Sequence, residues 1–341
     1  MRQPAILITG ANGEMGHGLI QALSQAGRQP IVGLDIQEAD ATLKPALAES
    51  IVGNILDQNV LDSINSRYEI SAIYHLAALL STRAEFSPQI AHQVNVDGTL
   101  NLLTLAVDQA RSHGRAVKFF FPSSIAVYGI PEGISKGEIG ALSEEQYLFP
   151  QTMYGCNKRY CELLGVYHAR HYQRLSADAG TFRVDFRAIR FPGLISAVTL
   201  PAGGTSDYAS EMIHAAAQGK AYDCFVREAT AMPFMTMPDA IRAITELMDA
   251  PVDEVDQRIY NIRAFSPTAA DLKAAVEQHF PGAIVNFKVD PNRQAIVDSW
   301  PADVDQSAAQ RDWQWQPQDD FESAFARYLV PAIKELYKLQ V

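Results

Sequence analysis

The sequence predicts an α/β protein: a doubly wound parallel sheet with a smaller C-terminal α/β lobe. Three observations predict it. Short apolar runs alternate with longer amphipathic ones through the first half of the 341 residues, the pattern of βαβ units whose parallel sheet is covered on both faces. A glycine-rich turn joins the first apolar run to the first amphipathic one. The second half is less regular, yet it still holds strand-like and helical segments of ordinary length.

Taken in order, residues 5–9 read as a buried strand and 13–26 as a helix ended by Gly27. Residues 31–34 form the next strand, closed by Asp35. Another strand at 72–75 is followed by a polar segment and a helix over 88–112. Residues 117–121 make a strand stopped by Pro122. Helical spacing covers 152–174, and 184–190 is again a strand. Farther on, 206–218 and 239–248 look helical, with Asp239 placed as an N-cap after Pro238. Residues 258–263 and 284–289 are strand-like, and 268–279 is helical behind a cap-like Ser266-Pro267-Thr268. The stretch 130–151 mixes Gly, Pro and Glu without a period and reads as a surface loop. The expected division is a cofactor domain over 1–192, with 225–250 returning to it, and a substrate lobe from 193–224 and 251–341.

Composition narrows the function. Hydrophobic residues make up 48% and charged residues 20%, ordinary for a soluble globular protein. The net charge of -11 repels phosphate backbones, so no nucleic-acid partner is expected. The three cysteines, Cys156, Cys161 and Cys224, show no C-x-x-C pair, which argues against disulfides and a metal cluster. The N-terminal apolar run is too short for a signal peptide, and no stretch reaches transmembrane length. A soluble cytoplasmic protein with a small-molecule substrate is expected.

The run Ile6-Leu7-Ile8-Thr9-Gly10-Ala11-Asn12-Gly13-Glu14-Met15-Gly16 is strand, turn, helix, with glycines spaced G-x-x-G-x-x-G. A diphosphate must approach such a backbone closely and rest on the helix N-terminus, where amides and the macrodipole favour anions. Gly10, Asn12, Gly13, Glu14, Met15 and Gly16 are therefore candidate cofactor contacts in a Rossmann-type domain. Asp35 ends the second strand and suits the two ribose hydroxyls of NAD; it would repel the 2′-phosphate of NADP. Asn54 and Ile55, at the end of a third strand region, flank the expected adenine.

Tyr154 and Lys158 are four residues apart in a helical segment, so they share a face. A phenol with an ordinary pKa of about 10 is a poor base at neutral pH, and a neighbouring ammonium lowers that value. Ser124, after the 117–121 strand, can hold a substrate oxygen as it loses its proton. Tyr154 is thus the expected base, tuned by Lys158.

The order Gly10…Gly16, His75-Leu76-Ala77-Ala78, Asn95-Val96-Asp97-Gly98-Thr99, Ser123-Ser124…Tyr128-Gly129, Tyr154…Lys158 and Arg190-Phe191-Pro192-Gly193 resembles the extended short-chain dehydrogenase/reductases, the NAD-dependent epimerase/dehydratase group. The resemblance spans nearly the whole chain. It implies that Ser124, Tyr154 and Lys158 are catalytic. Leu76, Ala77, Ala78, Asn95, Phe191 and Gly193 would join Tyr154 and Lys158 around NAD. A homodimer packed through helices like those at 88–112 and 152–174 is implied as well.

Segments at 78–81, 192–196, 203–209, 233–235 and above all 290–301 resemble the branch of that family that oxidises L-threonine. That branch implies oxidation of the β-hydroxyl of L-threonine, or a related small β-hydroxy amino acid, to 2-amino-3-ketobutyrate. Ser81, Ser123, Ser124, Thr152, Thr205, the amides of Gly203 and Gly204, and Trp300 would line the substrate pocket, though Thr205 as a helix cap and Trp300 as core are equally simple readings. Two departures stand out: inserts between Tyr128 and Gln151 and near 176–181. They either decorate the surface or reshape the entrance. The alternative is a nucleotide-sugar 4-epimerase on the same Ser/Tyr/Lys site, with Arg293 as a diphosphate contact. Ile125 and Ala126 after the serine disfavour dehydration, and the intact Ser124, Tyr154 and Lys158 disfavour a non-catalytic NAD sensor.

Overall fold

A computed structural model describes residues 2–28, 30–177, 183–201 and 204–338. The first half runs β1 (Gln3–Thr9), α1 (Glu14–Gln25), β2 (Ile31–Asp35), β3 (Glu49–Val52), α2 (Gln58–Arg67), β4 (Tyr68–His75), α3 (Ser81–Phe86), α4 (Pro88–His92), α5 (Gly98–His113), β5 (Val117–Ser124), α6 (Lys136–Ile139), β6 (Ala141–Leu142) and α7 (Met153–Arg170). The second half runs β7 (Val184–Phe191), β8 (Gly193–Ile195), α8 (Tyr208–Ala217), β9 (Tyr222–Cys224), β10 (Phe234–Thr236), α9 (Met237–Asp249), β11 (Ile259–Asn261), α10 (Ala269–His279), β12 (Val285–Phe287), α11 (Pro291–Asp298), β13 (Asp303–Val304), α12 (Ser307–Trp313), α13 (Phe321–Ala324) and α14 (Val330–Leu336).

Seven strands form one parallel sheet in the order β11-β7-β5-β4-β1-β2-β3. From β1 the chain builds outward to β2 and β3, then crosses back to β4 and β5. The strand order therefore reverses between β1 and β4, and ligands of such sheets bind beyond the strand C-termini at that reversal. The expected Rossmann-type architecture is what forms. Two compact units divide the chain. The first comprises Met1–Ser123, Cys156–Ile189 and Ile241–Ile259; the second comprises Ser124–Gly155, Arg190–Ala240 and Tyr260–Val341.

In the first unit, Leu7, Val32, Ile73, Leu102, Phe119, Phe121 and Phe186 are buried in one cluster, each contributing about 1.5–3 kcal/mol on burial. Phe186 stacks on Phe119 and Phe121, with ring centroids 6.0 and 6.1 Å away. The second unit packs Tyr128, Leu142, Met212, Phe225, Phe234, Phe265, Trp300 and Phe325.

Several local expectations are corrected. Pro122 does not stop the strand: β5 runs on to Ser124, because proline fixes φ near the extended range and removes only one ladder donor. The 88–112 helix is interrupted by a π-turn over Gln93–Asp97. Asp239 lies inside α9 rather than capping it; its carboxylate accepts the Gln318 amide at 3.1 Å. The 152–174 helix ends at Arg170. The 130–151 stretch is not a plain surface loop. It carries α6 and β6, and β6 pairs with β13. The Ile130 amide donates to Ser299 O at 2.8 Å, and Lys136 Nζ donates to Val297 O at 2.9 Å. The insert near 176–181 falls mostly outside the described residues.

Candidate active site

The nucleotide turn follows β1. Gly10 adopts φ +69°, and a Cβ there would sit 2.6 Å from the Ala77 amide nitrogen, so a side chain is barred on two counts. A Cβ on Gly16 would likewise strike the carbonyls of Ala11 and Gly10. Helix α1 opens on Gly13 with no side-chain cap. Its first intrahelical bond runs from His17 N to Gly13 O, 2.9 Å, so the Met15 and Gly16 amides lie ahead of it, at the positive end of the helix. This is a backbone cradle open to a diphosphate.

Asp35 is held in place: its carboxylate accepts from Asn12 N at 2.9 Å and Gln37 N at 3.1 Å. Each oxygen keeps a further lone pair for a ribose hydroxyl. The Asn12 side chain is itself engaged. It donates to Glu38 O at 2.7 Å and accepts from Asp40 N at 3.0 Å, so it ties the turn to the loop after β2. Asn54 and Ile55 fall beyond β3, which ends at Val52. Ile55 is buried, and its side chain packs against Gly98. The exposed Asn54 caps its own turn, accepting from Leu56 N at 3.0 Å. These residues fit NAD: Gly10, Gly13 and Gly16 for close approach, the first turn of α1 for the diphosphate and Asp35 for the ribose.

The catalytic candidates sit on two continuous elements, the end of β5 and the first turns of α7. Ser124 is half-buried; its Oγ accepts from Ala126 N at 3.1 Å, which aims the hydroxyl and leaves its hydrogen to donate. A Cβ on Gly155 would overlap Ala126 O, so this glycine lets the start of α7 pack directly on the turn after Ser124. Thr152 accepts from Gly155 N at 3.1 Å and so caps α7.

Tyr154 and Lys158 are one turn apart on α7. Lys158 is buried. Its Nζ donates to Pro122 O at 2.6 Å and lies 4.6 Å from the centre of the Phe121 ring. Burial pushes the ammonium down to about 8. Burial also raises the Tyr154 phenol well above its ordinary value, opposite to the shift that Lys158 alone would give. Burial thus moves the phenol up and the ammonium down.

Sequence reasoning missed Glu162. Glu162, one turn beyond Lys158 and fully buried, accepts from Ser123 Oγ at 2.6 Å and Arg159 at 3.0 Å. Ser123, expected at the substrate, spends its hydroxyl there. The spacing of 154, 158 and 162 on one helix face was the available signal. Asn95 bonds the Leu79 amide and carbonyl, 2.8 and 3.0 Å, and Asn157 at 3.2 Å, as a buried residue of the π-turn, a geometry frequent at functional sites.

In the second unit, Thr205 and Trp300 are buried, Trp300 within the main cluster. Phe191 is buried too, and Gly193 lies against Phe234. Asp207, rather than Thr205, stands at the N-cap position of α8, but its side chain makes no capping bond and accepts instead from Gly204 N at 2.6 Å. Gly203 lies outside the described residues. Arg293 stacks on Phe225, 3.2 Å from the ring centre, and donates to Gly204 O at 2.7 Å. Ser81 opens α3 in the first unit. Among the described residues no cluster of His, Cys, Asp and Glu suits a metal, and no helix is long and apolar enough to cross a membrane.

A Rossmann-type sheet, a glycine cradle closed by an acidic residue, and a serine, tyrosine and lysine on β5 and α7 define the class: a nicotinamide-dependent oxidoreductase. Comparison with known proteins agrees. The chain belongs to the NAD dependent epimerase/dehydratase family, whose profile matches residues 6–262. It is 35% identical over 315 residues to the mitochondrial L-threonine 3-dehydrogenase of Bos taurus, covering 92% of this chain and 79% of that one. Among solved structures, it resembles a monomeric L-threonine 3-dehydrogenase from a metagenome (TM-score 0.83, 34% identity, 98% and 99% coverage). It also resembles the holo form of a threonine dehydrogenase from Cupriavidus necator (TM-score 0.81, 36% identity, 96% and 99% coverage). The protein is an NAD-dependent dehydrogenase of the extended short-chain type.

Proposed function

We propose that this enzyme oxidises the β-hydroxyl of L-threonine to 2-amino-3-ketobutyrate. The observation that carries the reading is the i, i+4 placing of Tyr154 and Lys158 on α7, with the lysine anchored at Pro122 O, in a chain 34–36% identical to threonine dehydrogenases of known structure. NAD, when bound, supplies the hydride acceptor and a positive ring that favours a nearby phenolate. Tyr154 takes the hydroxyl proton, Ser124 donates to the same oxygen, and Lys158 keeps the phenolate charge balanced. The hydrogen on C3 leaves with its electron pair, and the C3–O bond becomes a carbonyl.

Ser81 and Thr205 are assigned to the carboxylate of the amino acid and Trp300 to the pocket wall. Arg293 lies on Phe225 and donates once to Gly204 O, which leaves further guanidinium N–H groups for a diphosphate, so the UDP-sugar assay below decides the epimerase alternative. Unit 1 is assigned the cofactor and unit 2 most of the substrate lobe. A reducing cytoplasm suits the three free cysteines.

We also assign a homodimer to the exposed apolar residues of the first unit: Phe86 and Ile90, and Tyr160, Leu163 and Tyr167 at helical spacing on α7. Sedimentation decides this, since a single 37.5 kDa species would match the monomeric relative instead. For the reaction, NAD is mixed with L-threonine and reduced cofactor is followed by absorbance. No turnover of any small β-hydroxy amino acid, with interconversion of a UDP-sugar, would overturn the reading.

A further inference from the structure

His75 takes no part in the chemistry above, yet it is buried at the end of β4 with both ring nitrogens engaged. Nδ1 lies 2.8 Å from Thr9 Oγ1, and Nε2 lies 3.0 Å from Thr99 Oγ1. The direction of each bond follows from what the threonines do next. The Thr99 hydroxyl donates to Asn95 O at 2.5 Å, and a carbonyl can only accept. Thr99 Oγ1 must therefore accept from His75 Nε2–H. At the other end, Thr9 Oγ1 accepts from Ala77 N at 3.4 Å and gives its own hydrogen to Nδ1. The Thr99 end fixes the neutral tautomer protonated on Nε2, and Nδ1 is then left to accept from Thr9. Burial holds the imidazole down at about 3, so it stays neutral. The chain runs one way, from Ala77 N–H through Thr9, His75 and Thr99 to Asn95 O.

Each end of this chain meets working machinery. The Ala77 amide nitrogen is the atom against which Gly10 is seated. The Asn95 carbonyl also accepts from Cys161 Sγ at 3.2 Å, and the Asn95 side chain bonds Asn157. Asn157 and Cys161 flank Lys158 on α7. We propose that His75 is a positioning residue with two separable outputs: through Thr9 it sets Ala77 against Gly10 in the NAD cradle, and through Thr99 it sets the Asn95 carbonyl that registers α7 and its lysine.

Two substitutions separate the outputs. In His75→Asn the amide oxygen takes the place of Nδ1 and keeps the Thr9 arm, while the reach to Thr99 is lost. In His75→Gln the amide nitrogen takes the place of Nε2 and keeps the Thr99 arm. His75→Asn should bind NAD nearly as the parent does, while its Cys161 thiol, followed by alkylation and peptide mass spectrometry, reacts about tenfold faster. His75→Gln should do the reverse, weakening NAD about tenfold with Cys161 still protected. Turnover should fall more in His75→Asn; that arm alone rests on the threonine reading, since NAD titration and thiol labelling need no substrate. Thr9→Val and Thr99→Val, near-isosteric, should copy His75→Gln and His75→Asn respectively and stand in if either histidine variant fails to fold. Equal changes in both readouts across the variants, or none, would overturn the relay.

Discussion

Two stretches of this chain are held in place by different means. Residues 10–16 are shaped first by their own backbone: Gly10 takes φ +69° and Gly13 N donates to Gly10 O at 3.0 Å; bonds from Gly10 to Leu34 and from Asn12 to Asp35, Glu38 and Asp40 then seat the turn on the neighbouring strand and loop. Residues 291–304 are held from far along the chain. Ile130 bonds Ser299, Lys136 bonds Val297 and, at 3.2 Å, Ala231, and β6 pairs with β13. The first arrangement gives a cradle whose shape follows from a few glycines. In the second, an insert fixes the segment carrying Trp300, so the insert is part of what shapes that side of the protein.

The contrast can be broken at either end. The largest effect is expected in the glycine turn. Gly10→Val forces a left-handed φ on a branched side chain and drives Cβ into Ala77, so NAD should bind at least about a hundredfold more weakly. Affinity within a few-fold by fluorescence titration would show that the turn is not the cradle. Next comes Lys158→Met. In the parent, burial lowers the Lys158 ammonium to about 8, so the pH profile of kcat/KM for oxidation should break at about that pH. The variant has only the burial-raised phenol, so its break should move above the ordinary tyrosine value; an unmoved break contradicts the assignment.

In the distantly held stretch, Lys136→Met removes the bonds to Val297 and Ala231. It should raise KM for the amino acid by about tenfold while NAD affinity stays put. A change confined to NAD affinity would erase the distinction between the two stretches. The smallest effect concerns acid stability. His75 titrates near 3 in the fold and near 6.5 when unfolded, so between those values the unfolded chain binds the extra proton. Stability should therefore fall on acidification across that window, by up to about 1.4 kcal/mol per pH unit from this one group. His75→Gln should flatten the slope in urea melts taken from pH 6 to pH 5.

This difference also explains what the sequence reveals. The glycine spacing, Asp35 and the Tyr154–Lys158 spacing are local patterns, and each falls on the element expected; the expected lowering of the phenol is not found, because burial raises it. The β5 strand running through Pro122, the ties from 130–151 to 297–304 and the Ser123–Glu162 bond depend on contacts many residues apart. No periodicity encodes them. Asn12 and Ile55 show a subtler limit: their positions were legible, but their side chains turn to the loop after β2 and to Gly98. Thr152, expected at the substrate, accepts from the Gly155 amide at the start of α7.

The most direct test joins Tyr154 to the proposed substrate. The parent protein and Tyr154→Phe are each supplied with NAD and L-threonine, with formation of reduced cofactor followed and NAD affinity measured in parallel. The account predicts steady turnover in the parent, a loss of about 10²–10⁴-fold in the variant, and NAD affinity changed by no more than a few-fold. Turnover in Tyr154→Phe close to that of the parent would contradict it.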